Sequence, residues 1–206
     1  MMMLNLFEIL FIDEAAVPIE EVEAKNFGLY ILREGGFVNL VLYDTEKFYH
    51  NKINDLEMFD ENPVYGFISL RNDFYTCGTY MVAKSAAISK FGPLMYDLGM
   101  SVIKAPIMSD RGSVSDKTQS VWNYMFTHSE KYSKINLPKN NDDCASYLKN
   151  HDKGVKLKNN LNYLNLYKNH SKLMNKLISE KDNYEKQISE ELLHELGEHL
   201  FAFYNS

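Results

Sequence analysis

The chain has 206 residues, a net charge of −6 and 45% hydrophobic residues. This length suits one domain with an extension, or two small domains, and is sufficient to bury a hydrophobic core. The negative charge argues against nucleic-acid binding over the whole surface. The two cysteines, Cys77 and Cys144, exclude a disulfide framework and indicate a reducing compartment.

The start of the chain predicts two short helices, over residues 3–11 and 18–25. It carries neither the basic segment nor the small-residue cleavage site that marks a signal peptide. No apolar run in the sequence is long enough to cross a bilayer. We therefore expect a soluble, cytoplasmic protein that does not bind membranes.

Alternating and apolar runs next predict a sheet. Four strands are expected, over residues 27–33, 37–43, 64–70 and 74–82. Gly35 and Gly36 join the first two strands as a hairpin, and residues 44–62 are polar and irregular. A meander of this kind predicts an α+β fold with mixed strand pairing.

Residues 80–96 read as a strand, a loop and a helix. Small residues end the strand, Gly92 and Pro93 begin the helix, and Lys84 and Lys90 add positive charge. Free amides at a helix N-terminus bind phosphate groups, and Pro is favoured at the first helical position. The pattern fits a cradle for a phosphate, although plain capping of the helix explains the same residues.

The following segment returns to the sheet and begins a second helix. Residues 105–109 resemble a short strand, and the helix after them contains Trp122, which we expect to be a core residue under the sheet. Ser113 with Asp116 fits a capping box, and Ser115 is the alternative N-cap.

Beyond residue 138 the composition changes. Residues 139–160 are rich in Asn, Asp and Lys, with one short helix expected over residues 144–148. Apolar residues then recur at helical spacing, at Leu161, Leu164, Leu173, Leu177, Ile188, Leu192, Leu196, Leu200 and Phe203. We predict a core domain over residues 1–138 and a helical C-terminal extension over residues 139–206, whose apolar stripe suits a protein partner or a dimer.

Two other features bear on ligands. Residues 131–181 are rich in Lys, which suits nucleic acid, an acidic partner, or simply a solvated helix face. His194 and His199 are five residues apart, whereas a zinc-protease helix requires a spacing of four. No histidine clusters with the cysteines, so no metal site is predicted.

Residues 80–126 resemble the acetyl-CoA-binding half of the GCN5-related N-acetyltransferase (GNAT) superfamily. The likeness is carried by Gly-Pro-Leu-Met-Tyr-Asp at 92–97, Ser-Asp-Arg-Gly-Ser-Val-Ser at 109–115, and Val121-Trp122. It is similar in particular to divergent GNAT-like proteins of tailed bacteriophages. The resemblance implies a GNAT-like mixed, mostly antiparallel sheet flanked by helices, and a viral protein in the host cell cytoplasm.

The resemblance also implies a site for acetyl-CoA. The strand backbone would bind the pantetheine arm, and the loop amides would bind the pyrophosphate. The cofactor-binding residues that it implies are Met81, Val82, Ala83, Ser89, Lys90, Phe91, Gly92 and Ser115.

The chain departs from the family pattern at the catalytic and phosphate positions. The family's Tyr acid matches Trp122, and an indole is not a practical acid. Tyr124 and Tyr96 are the remaining candidate acids, and Asp110 is a candidate base for the acceptor amine. In the phosphate loop, Pro93 has no amide to donate.

Two functions therefore compete. The first is an N-acyltransferase that moves an acetyl group from acetyl-CoA to an amine, which is a protein lysine, a small amine or a modified nucleobase. The alternative is a catalytically inactive GNAT-fold binding module, such as a phage virion or host-takeover interaction protein.

Overall fold

The computed structural model describes residues 26–50, 63–72, 79–109, 114–136 and 153–181, together with Val22. The strands in these residues are β1 (Phe27–Glu34), β2 (Phe37–Asp44), β3 (Val64–Arg71), β4 (Tyr80–Ala87), β5 (Ile107–Met108), β6 (Tyr132–Asn136) and β7 (Lys153–Leu157). The helices are α1 (Thr45–His50), α2 (Gly92–Ile103), α3 (Asp116–Thr127) and α4 (Leu164–Lys181).

The seven strands form one sheet in the order β1-β2-β3-β4-β5-β7-β6. Every neighbouring pair is antiparallel except β4 and β5, which are parallel. The sheet is therefore mixed and mostly antiparallel, and helices flank it. This confirms the predicted α+β, GNAT-like fold class.

The first strands supply side chains to two hydrophobic cores on opposite faces of the sheet. Leu29 and Leu40 belong to the core that contains α2 and α3 residues, whereas Tyr30 and Val41 belong to the core shared with α1 and α4. Successive side chains of a strand point to opposite faces, so each strand serves both cores. The hairpin turn is as predicted, with positive φ angles of 54° at Gly35 and 83° at Gly36.

Two glycines allow α2 to lie close against the sheet. A Cβ at Gly66 would lie 2.7 Å from Met95 Cγ, and one at Gly99 would lie 3.1 Å from Leu70 Cδ1. The missing side chains leave room for those of the neighbouring element. This packing fixes the N-terminus of α2 beside the end of β4.

Several boundaries differ from the predictions. The segment expected to be irregular after residue 43 begins with α1, because Asp44 Oδ1 accepts the backbone amides of Glu46 and Lys47, each at 3.0 Å. The strand expected to end at Val82 continues to Ala87.

The C-terminal half also differs in one respect. β7 lies between β5 and β6, so the sheet continues past residue 138, into the segment expected to be helical. The first part of the helical stripe predicted from the leucine spacing is present as α4, and the part over residues 188–203 lies outside the described residues. The helices predicted over 3–11 and 144–148 lie outside the described residues, as does almost all of 18–25. Among the described residues, no helix has the length and apolar character needed to cross a membrane.

A buried histidine joins α4 to the sheet. The Tyr43 hydroxyl lies 2.7 Å from His170 Nδ1, and His170 is 6% exposed. Burial lowers the pKa of His170 from 6.5 to about 4. Between these two values the unfolded chain binds a proton that the folded chain excludes, so acidification favours unfolding.

We expect the free energy of unfolding to fall by about 1–2 kcal/mol from this group between about pH 7 and about pH 5. Urea denaturation of the wild type and of His170→Gln at both pH values measures the effect. Gln retains a hydrogen-bonding group for Tyr43 but does not titrate, so the variant should lose this part of the pH dependence. An identical pH dependence in the two proteins would contradict the assignment.

Candidate functional site

β4 and β5 are neighbours for two residues and are not paired beyond them in the part of the chain that the structure describes. Tyr80 pairs with Ile107 and Met81 with Met108. On the other side of β4, the register with β3 shifts so that Ala83 has no partner between Val82 and Lys84. A bulge of this kind bends and twists a strand locally and is frequent beside functional sites. Because β5 pairs only with the first two residues of β4, the last residues of β4 have an open edge on that side among the described residues.

The loop after β4 holds a residue in an unusual conformation. Lys90 has a φ of 78°, a left-handed value that is uncommon for a residue with a Cβ. Two backbone hydrogen bonds fix the loop. The Ile88 amide donates to the Tyr65 carbonyl at 2.9 Å, and the Phe91 amide donates to the Ile88 carbonyl at 3.2 Å. Strain of this type persists only where the surrounding contacts impose it, and it is concentrated at functional sites.

Aromatic packing provides the main anchor of this loop. The Phe91 ring stacks on Tyr65 with a centroid distance of 4.7 Å, and it also contacts Phe27 at 6.0 Å. The Tyr65 hydroxyl in turn donates to Asp44 Oδ2 at 2.8 Å. Phe91 is therefore a buried anchor, and its packing fixes the positions of Lys90 and of the start of α2.

The N-terminus of α2 has no side-chain cap. Phe91 occupies the N-cap position and has no group that could accept a hydrogen bond. Pro93 has no amide, whereas the Met95 amide bonds to the Phe91 carbonyl at 3.1 Å. The amides of Gly92 and Leu94 remain as donors at the positive end of the helix dipole.

The N-terminus of α3 lies on the other side of the same space. Ser115 is its N-cap, and Ser115 Oγ accepts the Thr118 amide at 3.3 Å. The predicted capping box of Ser113 with Asp116 is therefore wrong, because the helix begins at Asp116 and the alternative, Ser115, is its N-cap. Ser113 itself lies outside the described residues. Lys117 in the first turn adds a second positive charge near the space.

A cavity of about 470 Å³ lies between these elements. It is lined by the end of β4 and its loop, through Ser85, Ala86, Ala87, Ile88 and Lys90. α2 contributes Gly92, Pro93, Met95 and Tyr96, and α3 contributes Ser115, Lys117, Thr118, Ser120 and Val121. This volume is in the range of small-molecule sites, and both charged side chains in the lining are lysines. The cavity therefore suits an anionic ligand.

Tyr96 places a hydroxyl group in the cavity wall. Its Oη lies 3.0 Å from Ser85 Oγ, so hydroxyl groups from β4 and α2 meet, and Thr118 of α3 lines the cavity beside them. Burial raises the pKa of Tyr96, although the neighbouring Ser85 and Thr118 side chains oppose the rise. The hydroxyl is therefore protonated at neutral pH and can act as a proton donor.

The cavity contains some of the predicted site residues and not others. Tyr96, Lys90, Gly92 and Ser115 line it. Phe91 is buried behind it as described above. Asp110 lies outside the described residues.

The predicted strand residues and Tyr124 are not among the lining residues. Met81 and Val82 are buried within β4, and Ala83 is the bulged residue. Ser89 is exposed in the loop. Tyr124 is buried on α3, where its ring stacks on His128 at 4.0 Å.

Asp97 on α2 is a buried carboxylate with a structural role. It is 1% exposed, and its two oxygens bind Lys131 Nζ at 2.6 Å and the Tyr132 hydroxyl at 2.7 Å. Burial raises the pKa of Asp97, while Lys131 and Tyr132 favour its charged form. The group joins α2 to β6 and does not line the cavity.

The first turns of α3 contribute lining residues that the sequence analysis missed. Lys117, Thr118 and Val121 have spacings of one, three and four residues, which place them on one side of a helix. This spacing, counted from the predicted N-cap, was the sequence signal from which the three lining residues could have been predicted.

Comparison with protein-family models, with curated proteins and with solved structures gives no match for this chain.

Proposed function

We propose that the chain is an acyl-CoA-dependent N-acyltransferase, which moves an acetyl group from acetyl-CoA to an amine. One observation carries the proposal. A cavity of about 470 Å³ is lined by the end of β4, the uncapped N-terminus of α2, two lysines and the Tyr96 side chain. A strand edge suits the amides of a pantetheine arm, and the positive groups suit phosphates.

The residues present fit acetyl-CoA, which would supply an acetyl group activated as a thioester. The amides of Gly92 and Leu94, with Lys90 and Lys117, would hold the phosphates. The β5 side of β4 near Ser85 would hold the amide-containing arm, since no strand pairs there among the described residues. Pro93 removes one amide from this set, and the two lysines compensate by charge.

The chain's own chemistry lies at Tyr96. Its Oη proton can be delivered to the leaving sulfur and replaced by the proton that the attacking amine loses, and the hydrogen bond with Ser85 orients the hydroxyl group for that transfer. Trp122 packs edge-on against the Tyr96 ring at 5.6 Å and fixes the plane of the ring. Tyr96 therefore takes the acid role for which Trp122 is unsuited.

A matched pair of substitutions tests the binding site. A Cβ at Gly92 would lie 3.2 Å from Val121 Cγ2, and Gly92→Ala and Gly92→Asp both introduce this Cβ contact. Only Gly92→Asp adds a negative charge to the cavity, and an acidic residue in the first turn does not disfavour the helix. Calorimetric titration with acetyl-CoA should show micromolar binding to the wild type and to Gly92→Ala. Gly92→Asp should bind roughly 100-fold more weakly or worse, as expected for a like charge a few ångströms from a phosphate.

Absence of binding to the wild type at millimolar acetyl-CoA would overturn the proposal. So would equal affinities of the two variants, because phosphate would then not lie near Gly92. Titration with free CoA and with ATP separates recognition of the acyl arm from recognition of phosphate alone.

The catalytically inactive binding module is the second candidate. The observation that favours it is the pair of departures at Pro93 and Trp122, which remove an amide and the usual acid. On this alternative, acetyl-CoA should not bind, and Gly92→Asp should alter only stability.

A further inference from the structure

The exposed side of α4 has an unusual charge for this chain. The protein has a net charge of −6, whereas α4 (Leu164–Lys181) contains four Lys and one acidic residue, Glu180, near its end. Lys168, Lys172 and Lys176 are all exposed and recur every four residues. Successive lysines are thus about 6 Å apart along the helix axis and lie on one side of it.

The opposite side of α4 is fixed to the sheet. Leu173, Met174 and Leu177 are buried in the core shared with β1, β2 and β3, and His170 meets Tyr43 beneath them. The helix therefore presents the three lysines from a rigid support. Rigid presentation lowers the entropy cost of binding a long ligand.

A groove of about 390 Å³ runs between α4 and α1 beside two of these lysines, Lys172 and Lys176. Lys172, Lys176 and Asn169 form one wall, and Tyr49 and Thr45 belong to the other. Lys176 Nζ lies 3.9 Å from the centroid of the Tyr49 ring. One carboxylate, Glu46, also lines the groove, and it accepts a hydrogen bond from the Asn26 side chain.

We propose that this side of α4, with the groove beside it, binds the sugar–phosphate backbone of a single-stranded nucleic acid. Regularly spaced ammonium groups suit a regularly charged strand. Tyr49 at the groove is an aromatic ring of the type on which bases stack in single-strand sites, and Lys176 Nζ lies over it at 3.9 Å, so base stacking requires Lys176 to move from the ring to a phosphate. The lysines lie on α4, and α4 and α2 pack against opposite faces of the sheet. The inference therefore does not depend on what the cavity binds.

Two triple variants of equal net charge test the proposal. The first is Lys168→Gln, Lys172→Gln and Lys176→Gln. The control is Lys104→Gln, Lys134→Gln and Lys156→Gln, three exposed lysines after α2, on β6 and on β7. Lys and Gln have similar helix propensities, and circular dichroism checks that both variants fold.

The measurement is fluorescence anisotropy with a labelled oligonucleotide of about 20 nucleotides, over a salt series and without any acyl donor. Wild-type affinity should fall about 20-fold between about 50 and about 200 mM salt, as expected for three phosphate contacts. The α4 variant should bind at least about 10-fold more weakly at low salt and lose most of the salt dependence. The control variant should bind like the wild type.

Three results would overturn the inference. These are no wild-type binding at low salt, equal losses in the two variants, and poly-glutamate binding with the same Kd as the oligonucleotide. The last would show that the surface responds to negative charge alone. None of these results depends on acetyl-CoA binding, so failure here and failure of the acyltransferase proposal are distinguishable.

Discussion

Replacing Phe91 by alanine should destabilise the fold by about 3–5 kcal/mol and eliminate ligand binding in the cavity. Phe91 is 7% exposed, and its ring stacks on Tyr65 and contacts Phe27. Removal of the ring leaves a void beneath the loop, because those neighbours are fixed by the sheet. Lys90 then loses the contact that imposes its left-handed conformation, and the start of α2 loses its position.

Urea denaturation gives the change in stability, and calorimetry with acetyl-CoA gives the change in binding. Ile88→Ala is the control, because Ile88 belongs to the same loop but is 45% exposed. It should cost no more than about 0.5 kcal/mol, as for an ordinary surface substitution. If Phe91→Ala unfolds at the same urea concentration as the wild type, Phe91 is not the anchor of the loop.

Local sequence signals were sufficient for several elements of this fold. Gly35 and Gly36 supply the positive φ angles that a tight hairpin needs, so the turn was predictable without tertiary information. The starts of α2 and α3 follow from Gly92-Pro93 and Ser115, whose preferences depend on the backbone of their own turn. Trp122 was predicted as a core residue and is buried.

The elements that were missed depend on contacts distant in sequence. β7 has five residues and is a strand because β5 and β6 lie on either side of it. Nothing in the sequence of Lys153–Leu157 indicates that β5 and β6 will pair with it. Likewise, Ser85 to Ala87 read as loop residues because they are small and polar, and they are extended because β3 pairs with them.

The candidate site divides in the same way. Lys90, Gly92 and Ser115 were predictable, because they lie in the loop and at the caps that any phosphate-binding turn would use. The hydrogen bond between Ser85 and Tyr96 was not, since it joins two elements, β4 and α2. Helix packing on the sheet, and no local preference, decides that these hydroxyl groups meet.

Tyr96→Phe should lower the rate of acetyl transfer by about 100-fold to 10,000-fold, the usual effect of losing a general acid. Acetyl-CoA affinity should change little, because the ring and its contact with Trp122 are retained. The fold should lose only about 1 kcal/mol, the usual net value of one hydrogen bond. Release of free thiol from acetyl-CoA, with poly-lysine and small amines as acceptors, measures the rate, and calorimetry measures the affinity.

Tyr124→Phe is the matched control, because it removes the same hydroxyl group from a tyrosine that does not line the cavity. It should leave the rate within about 3-fold of the wild type, since no group on the reacting atoms is lost.

The pH dependence gives an independent check. Burial raises the pKa of Tyr96 above its ordinary value of 10, so the hydroxyl keeps its proton across the neutral range. The wild-type rate should therefore not decline from about pH 7 to about pH 9, because an acid loses activity only as pH rises through its pKa. Equal rate losses in the two Tyr→Phe variants would show that the hydroxyl of Tyr96 supports the fold and does not transfer the proton.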